Sequence, residues 1–356
     1  NLIGGSADLA PSHKTYIKGR GDFSAETPEG SNLHFGIREQ AMAGIVNGMQ
    51  VHGGLQTYAA TFLVFSDYMK HGIRISALMK LPVLYVLTHD SIGVGEDGPT
   101  PQPIEQLAAL RSMPNVYLWR PADGKEVAAA YAQALKMEGP SCFALSRQNL
   151  PLYENSGKEA MKGGYILSDS KKATPDVILM ASGSEVEQAM DAQKLRADEG
   201  IDARVVSMPC FAIFDAQSEE YKESVLPKAV RARLAVEAAT SFGWHKYVGL
   251  DGDVLTIDHF GASAPAAEPA AEEKKPAAQP AKAEQPKAEA KPEQKPEPKP
   301  AEKPAEGTSA EPPTETPKPE TPAEDKPAAA VDDALTILNA IWNTYSDEEK
   351  FPAAGG

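Results

Sequence analysis

The chain has 356 residues, 42% of them hydrophobic, and a formal net charge of −15. That length and apolar content allow two or three domains with real cores. The acidic balance argues against nucleic acid or an anionic membrane surface as a partner. The two cysteines, Cys142 and Cys210, each sit in an apolar segment and read as buried free thiols of a cytoplasmic protein. No apolar run is long enough to span a membrane and no signal-peptide pattern opens the chain. The first residue is Asn rather than Met, so the sequence reads as a fragment.

Residues 1 to about 150 alternate strand-like and helix-like segments. A short apolar run ends at Gly36, and a pattern of period 3.6 follows, with Met42, Ile45, Val46 and Met49 on one helical face. Glu39 then stands in the first turn of a largely buried helix, just past a strand end. A lone Glu there commonly complements the helix dipole. In an open α/β sheet, however, ligands bind at that end of the strands. Phe62, Phe65 and Tyr68 are spaced three apart and can share a face. Such a stripe is often core, yet beside a strand-end carboxylate it could hold a flat heteroaromatic ring.

Gln56–Ala60, Val83–His89, Asn115–Arg120 and Ser141–Ser146 read as short buried strands, with a helix over Gly124–Met137. This βα alternation predicts a parallel sheet covered on both faces. Pro151 to Gly164 reads as a polar connector. A second α/β unit follows, with strands at Val177–Met180, Ala203–Ser207, Ala232–Glu237 and Val254–Asp258. Its turn at Ser182-Gly183-Ser184 could cradle a phosphate, although tight-turn chemistry is the better account of so short a signal. The fold class is thus two consecutive parallel or mixed-sheet α/β domains, at 1–150 and 164–262.

Residues 263–330 break from this pattern. The stretch 261–330 holds 16 of the chain's 30 prolines, no aromatic residue, and 10 lysines against 14 carboxylates. Such a composition cannot bury enough apolar surface to offset the entropy of ordering, so it predicts a disordered, extended linker. Beyond it, residues 331–346 predict a short amphipathic helix with Leu335, Leu338, Ile341, Trp342 and Tyr345 on one side. A lone helix of that length is marginal and must pack on something.

Several stretches in order resemble transketolase. They are Gly4-Gly5-Ser6-Ala7-Asp8-Leu9, Phe35-Gly36-Ile37-Arg38-Glu39-Gln40, Thr61 to Tyr68, Thr88-His89-Asp90-Ser91, Gly93 to Thr100, Arg120-Pro121-Ala122-Asp123, Ser146-Arg147-Gln148-Asn149, Ala181 to Glu185 and Phe242 to Lys246. The likeness covers roughly residues 1–265. It implies a pyrimidine-binding domain of a thiamine diphosphate enzyme, followed by the family's C-terminal domain.

The resemblance implies residue roles. Glu39 falls where the family's acid bonds the pyrimidine N1′ and promotes the imino form of the cofactor, which then acts as its own base. An apolar setting suits that role, because desolvation raises a carboxyl pKa. Phe62, Phe65 and Tyr68 match the pyrimidine pocket, and Asp8 a position near the cofactor. Ser12, His89 and Arg147 match contacts to a sugar phosphate, where an arginine fork suits phosphate oxygens; on sequence alone, a surface salt bridge is the favoured role for Arg147. Asp97 matches the residue that reads the hydroxyl next to the aldehyde. The implied reaction moves a two-carbon unit between sugar phosphates, in a homodimer or with a separate diphosphate-binding subunit.

Two departures stand out. The family has His after Gly-Pro-Thr, and this chain has Pro101. No Gly-Asp-Gly is present, so the Mg²⁺ and diphosphate site is expected on an N-terminal domain this sequence lacks. No metal ligand is assigned within this chain. Within the thiamine enzymes the competing resemblance is 1-deoxyxylulose-5-phosphate synthase, against which residues 37–40 and 95–102 speak. A different class remains open: a non-catalytic interaction or scaffold protein built on a transketolase-like base.

Overall fold

The computed structural model describes residues 2–94 and 98–262. Asp97, the proposed linker and the proposed helix at 331–346 lie outside the described residues.

The first domain is a six-stranded, fully parallel sheet in the order β2-β1-β3-β4-β6-β5. Its strands are β1 (Leu2–Ser6), β2 (Asn32–His34), β3 (Gln56–Phe62), β4 (Leu84–Thr88), β5 (Tyr117–Trp119) and β6 (Ser141–Leu145). Between them run α1 (Ala10–His13), α2 (Glu39–His52), α3 (Ser66–Leu78), α4 (Gln106–Arg111) and α5 (Gly124–Ala134). Along β4 the side chains alternate between two cores. Tyr85 and Leu87 join Met42, Val46, Met69, Ile73 and Leu110, whereas Leu84 and Val86 join Trp119, Tyr131 and Phe143. Both faces are therefore apolar, which is why the strands read as continuous hydrophobic runs. Asp123 caps α5 by accepting from the Glu126 backbone N–H at 2.8 Å.

The second domain is a five-stranded sheet in the order β11-β10-β8-β9-β7. It contains β7 (Tyr165–Ser168), β8 (Val177–Ala181), β9 (Ala203–Ser207), β10 (Arg233–Glu237) and β11 (Asp253–Thr256). Only β7 runs antiparallel to its neighbour, so this sheet is mixed. Its helices are α6 (Glu185–Asp198), α7 (Phe211–Asp215), α8 (Glu219–Val225) and α9 (His245–Val248). Ile178 and Met180 pack with Phe214 and Trp244 on one face; Leu179 and Ala181 pack with Val186 and Val205 on the other.

Three local expectations change. The buried face of α2 is Met42, Ala43, Val46 and Asn47, while Ile45 stays 46% exposed. Asn47 turns inward because its side chain is satisfied there: its Oδ1 accepts from Ser76 Oγ (2.7 Å) and Tyr85 OH (2.9 Å), and its Nδ2 donates to Gly72 O (2.9 Å). The connector holds a 3-10 turn at Lys158–Lys162 whose Ala160 is fully buried. Phe62 belongs to a strand end rather than a helix. Both cysteines are buried and free, with burial pushing the Cys210 thiol up to about 12.

Candidate active site

Because the first sheet is fully parallel, its C-terminal strand ends open onto one edge. Asp8 lies just beyond β1, Glu39 follows β2, Phe62 closes β3, His89 follows β4 and Arg147 lies just beyond β6. The register keeps these ends level: Ser6 pairs with His34 and Ala60, Phe62 with Thr88, and Thr88 with Leu145. This is the edge where open α/β sheets hold ligands.

Glu39 opens α2 and is only 7% exposed, and its side chain makes no hydrogen bond or ion pair among the described residues. The aromatic residues form a stepped row. The Phe62 and Phe65 rings lie 5.8 Å apart at 9°, and Phe65 and Tyr68 6.1 Å apart at 29°. The row runs from buried Phe62, through half-buried Phe65, to Tyr68, which is 65% exposed. His89 stacks on the inner end, 3.7 Å from Phe62 at 27°, and its Nδ1 lies 3.0 Å from Thr88 Oγ1. Its backbone φ is +60°, in the left-handed region that non-glycine residues seldom occupy. Asp8, Ser12 and Arg147 are exposed on the same edge, and no ring contact joins them to the row.

One residue here had no assigned role in the sequence reading. His13 ends α1 with its ring edge-on to Phe62 at 5.3 Å, is 2% exposed, and has no hydrogen-bond partner at either ring nitrogen among the described residues. Burial, and then the neighbouring His89, hold its pKa down to about 4, against the pull of Asp8. The ring is neutral at physiological pH. Its place beside Ser12 in a site motif was the only sequence signal. Among the described residues no group of three or more His, Cys, Asp or Glu side chains is arranged to hold a metal ion, and no helix is long and apolar enough to cross a membrane.

Behind this edge the two domains meet on buried ions. Arg120, just past β5, is fully buried. Its Nε donates to Asp90 Oδ2 at 2.9 Å and its Nη1 to Ser182 O at 2.8 Å, and Nη1 also pairs with Glu185. Arg111 meets Glu237 through both terminal nitrogens, at 2.6 and 2.7 Å, while its guanidinium lies 3.8 Å over the Phe211 ring. Burial alone would raise the Glu237 carboxyl, but Arg111 and then Arg120 hold it down to about 2. Glu126 has no such cation. It accepts from Ser207 Oγ (2.6 Å), the Ala122 N–H (2.7 Å) and Tyr165 OH (2.9 Å), and burial pushes it up to about 7.

Known proteins resemble this chain across both of its domains. The transketolase pyrimidine binding domain matches residues 1–152, and the transketolase-like C-terminal domain matches residues 163–273. Transketolase of Bacillus subtilis is 57% identical over 269 residues, which is 74% of this chain and 40% of that protein. A crystal structure of Pichia stipitis transketolase in complex with sedoheptulose 7-phosphate superposes with a TM-score of 0.71 at 47% identity, over 74% of this chain and 40% of that one. A split-gene transketolase, described as an inactive β4 tetramer, aligns with a TM-score of 0.55 at 27% identity, over 72% of this chain and 82% of that one. The chain therefore spans about two fifths of the length of the full transketolases it matches. On its sequence, its two sheets and the level strand ends that carry its motifs, this chain belongs to the transketolase family.

Proposed function

We propose that this chain is the pyrimidine-binding and C-terminal part of a transketolase. In this reading it supplies one wall of a thiamine diphosphate site. It takes part in ketol transfer between sugar phosphates only together with a diphosphate-binding domain. The observation that carries the reading is Glu39, an acid at a strand-end helix start that is 7% exposed and lacks a side-chain partner among the described residues. Its carboxyl oxygens are unpaired and not sealed off, so they are open to a donor from a ligand at the strand-end edge.

The residues present fit the cofactor's pyrimidine. Glu39 offers its carboxyl to a ring nitrogen, and the open outer end of the row at Phe65 and Tyr68 offers faces to a planar ring. When bound, thiamine diphosphate supplies a carbon nucleophile for a ketose carbonyl. Arg147 and Ser12, both exposed on the strand-end edge, offer donors to the phosphate of the sugar, and His89 lies on the same edge. Asp97 is proposed to read the sugar hydroxyl. Mg²⁺ and the diphosphate are left to the other domain, which would make the working unit a homodimer or a two-subunit assembly in the cytoplasm.

The test is reconstitution. The purified chain is assayed for ketol transfer from xylulose 5-phosphate, alone and mixed with a separately expressed transketolase diphosphate-binding domain. The expected result is activity only in the mixture, lost on Glu39→Gln. Transfer by the chain alone, or an active Glu39→Gln mixture, would overturn the reading. Pro101 favours a second reading, a non-catalytic assembly subunit, because its side chain offers neither donor nor acceptor where the family has His. Stable association with the diphosphate-binding domain without any transfer would select it.

A further inference from the structure

Resting on the reading of His89 and Arg147 as phosphate contacts, we propose that Asp90 and Arg120 are positioning residues. They form a buried relay through which the C-terminal domain sets the spacing of the two loops that carry His89 and Arg147.

The relay turns on one oxygen. Asp90 Oδ2 accepts from Arg120 Nε at 2.9 Å and from Ser146 Oγ at 3.2 Å. Asp90 follows His89 directly, and Ser146 directly precedes Arg147. A single carboxylate thus ties the loop after β4 to the loop after β6, at the two positions next to the proposed phosphate contacts. His89 needs such a tie. Its φ of +60° persists only where the surroundings impose it, and the sealed carboxylate of the next residue does so. With the tie cut, His89 is free to leave the left-handed region and its ring to slide off Phe62.

The far end of the relay is anchored in the other domain. Ser182 O takes Arg120 Nη1 at 2.8 Å, Glu185 pairs with the same nitrogen, and the Gly183 N–H donates to Arg120 O at 2.9 Å. The Arg120 N–H in turn donates to Pro209 O at 2.7 Å. Held on its backbone and its fork at once, the planar guanidinium passes the placement of the second domain to Asp90. Misplacing donors by a fraction of an ångström is enough to weaken a multidentate anion contact.

The experiment titrates the full chain with inorganic phosphate, follows the histidine ring signals by NMR, and records Tm on the same samples. Arg147→Ala and His89→Ala test the underlying reading; if neither weakens phosphate binding, or the unaltered chain binds none, the reading fails and the relay falls with it. Ser146→Ala removes only the bond to Asp90 in a half-buried loop. It is expected to weaken phosphate about fivefold with Tm unchanged, and Ser146→Thr to restore binding. Glu185→Gln, on the far domain, is expected to shift affinity in the same direction. A loss with Arg147→Ala but none with Ser146→Ala or Glu185→Gln overturns the relay while leaving the phosphate site standing. So does a Ser146→Thr variant as weak as Ser146→Ala.

Discussion

Ser207 Oγ in the second domain donates a 2.6 Å hydrogen bond to Glu126 Oε1 in the first. The acceptor is a fully buried carboxyl raised from 4.5 to about 7. Because the folded value lies above the unfolded one, the folded state binds more protons between them. The contribution to stability is fully present below about pH 4.5 and is lost as pH rises through 7, a change of about 3 kcal/mol at most. Glu126→Gln cannot titrate. Its stability relative to the unaltered chain should therefore rise between pH 5 and pH 8, measured by denaturant unfolding at each pH. A difference that stays flat across that window would place the titration elsewhere.

Glu237 gives the opposite sign. Its carboxyl is held down to about 2, so its contribution is present above about pH 4.5 and disappears as pH falls toward 2. Glu237→Gln leaves Arg111 and Arg120 short of countercharge in a sealed site, and the loss is expected to be about 3–5 kcal/mol. Trp244 Nε1 donates to Glu237 Oε2 at 2.8 Å, so tryptophan emission should shift along with the unfolding midpoint.

The packing of α2 on α3 depends on a missing side chain. A Cβ at Gly72 would lie 2.4 Å from the Cβ of Ala43 on the facing helix. Gly72→Ala should destabilise the chain by about 1–3 kcal/mol through overpacking, despite its gain in helix propensity. The denaturation midpoint reads this directly, and an unchanged midpoint would show that the two helices can part cheaply.

Pro101 is half-buried beside Gln102 and Pro103, both of them buried. In the reconstituted enzyme, Pro101→His restores an imidazole able to bond a sugar oxygen. Turnover should rise by about tenfold or more, with the affinity for the diphosphate-binding domain unchanged. Equal turnover in the two forms would mean that this position no longer faces the substrate.

Much of this architecture could be read in the residues, and the exceptions have physical causes. The strands at 84–88, 141–145 and 203–207 show as apolar runs because both of their faces are buried. β1 escapes notice because Gly4-Gly5 lacks the apolar side chains that mark a strand. Yet a Cβ at either residue would run into the carbonyl oxygen of Tyr58 or Leu33 on the adjoining strands, so only glycine fits there. Glu39 and the aromatic trio are visible from their spacing. The pairing of Arg120 with Asp90 is not, since the partners of a buried charge are set only once the second domain is in place. His13 is hidden for the same reason: its ring packs on Phe62, far away in sequence.

The ions between the sheets bear on how this polypeptide can be cut or inherited. Parting the two α/β layers would strip Arg120 of Glu185 and Ser182, leave Glu237 behind without either arginine, and expose the ring under Arg111. Neither piece would close on its own. A gene division that separates the two layers would have to evolve new countercharges on both fragments, whereas a division that keeps them together requires none. The pair is thus the smallest unit of this chain that recombination can pass on intact.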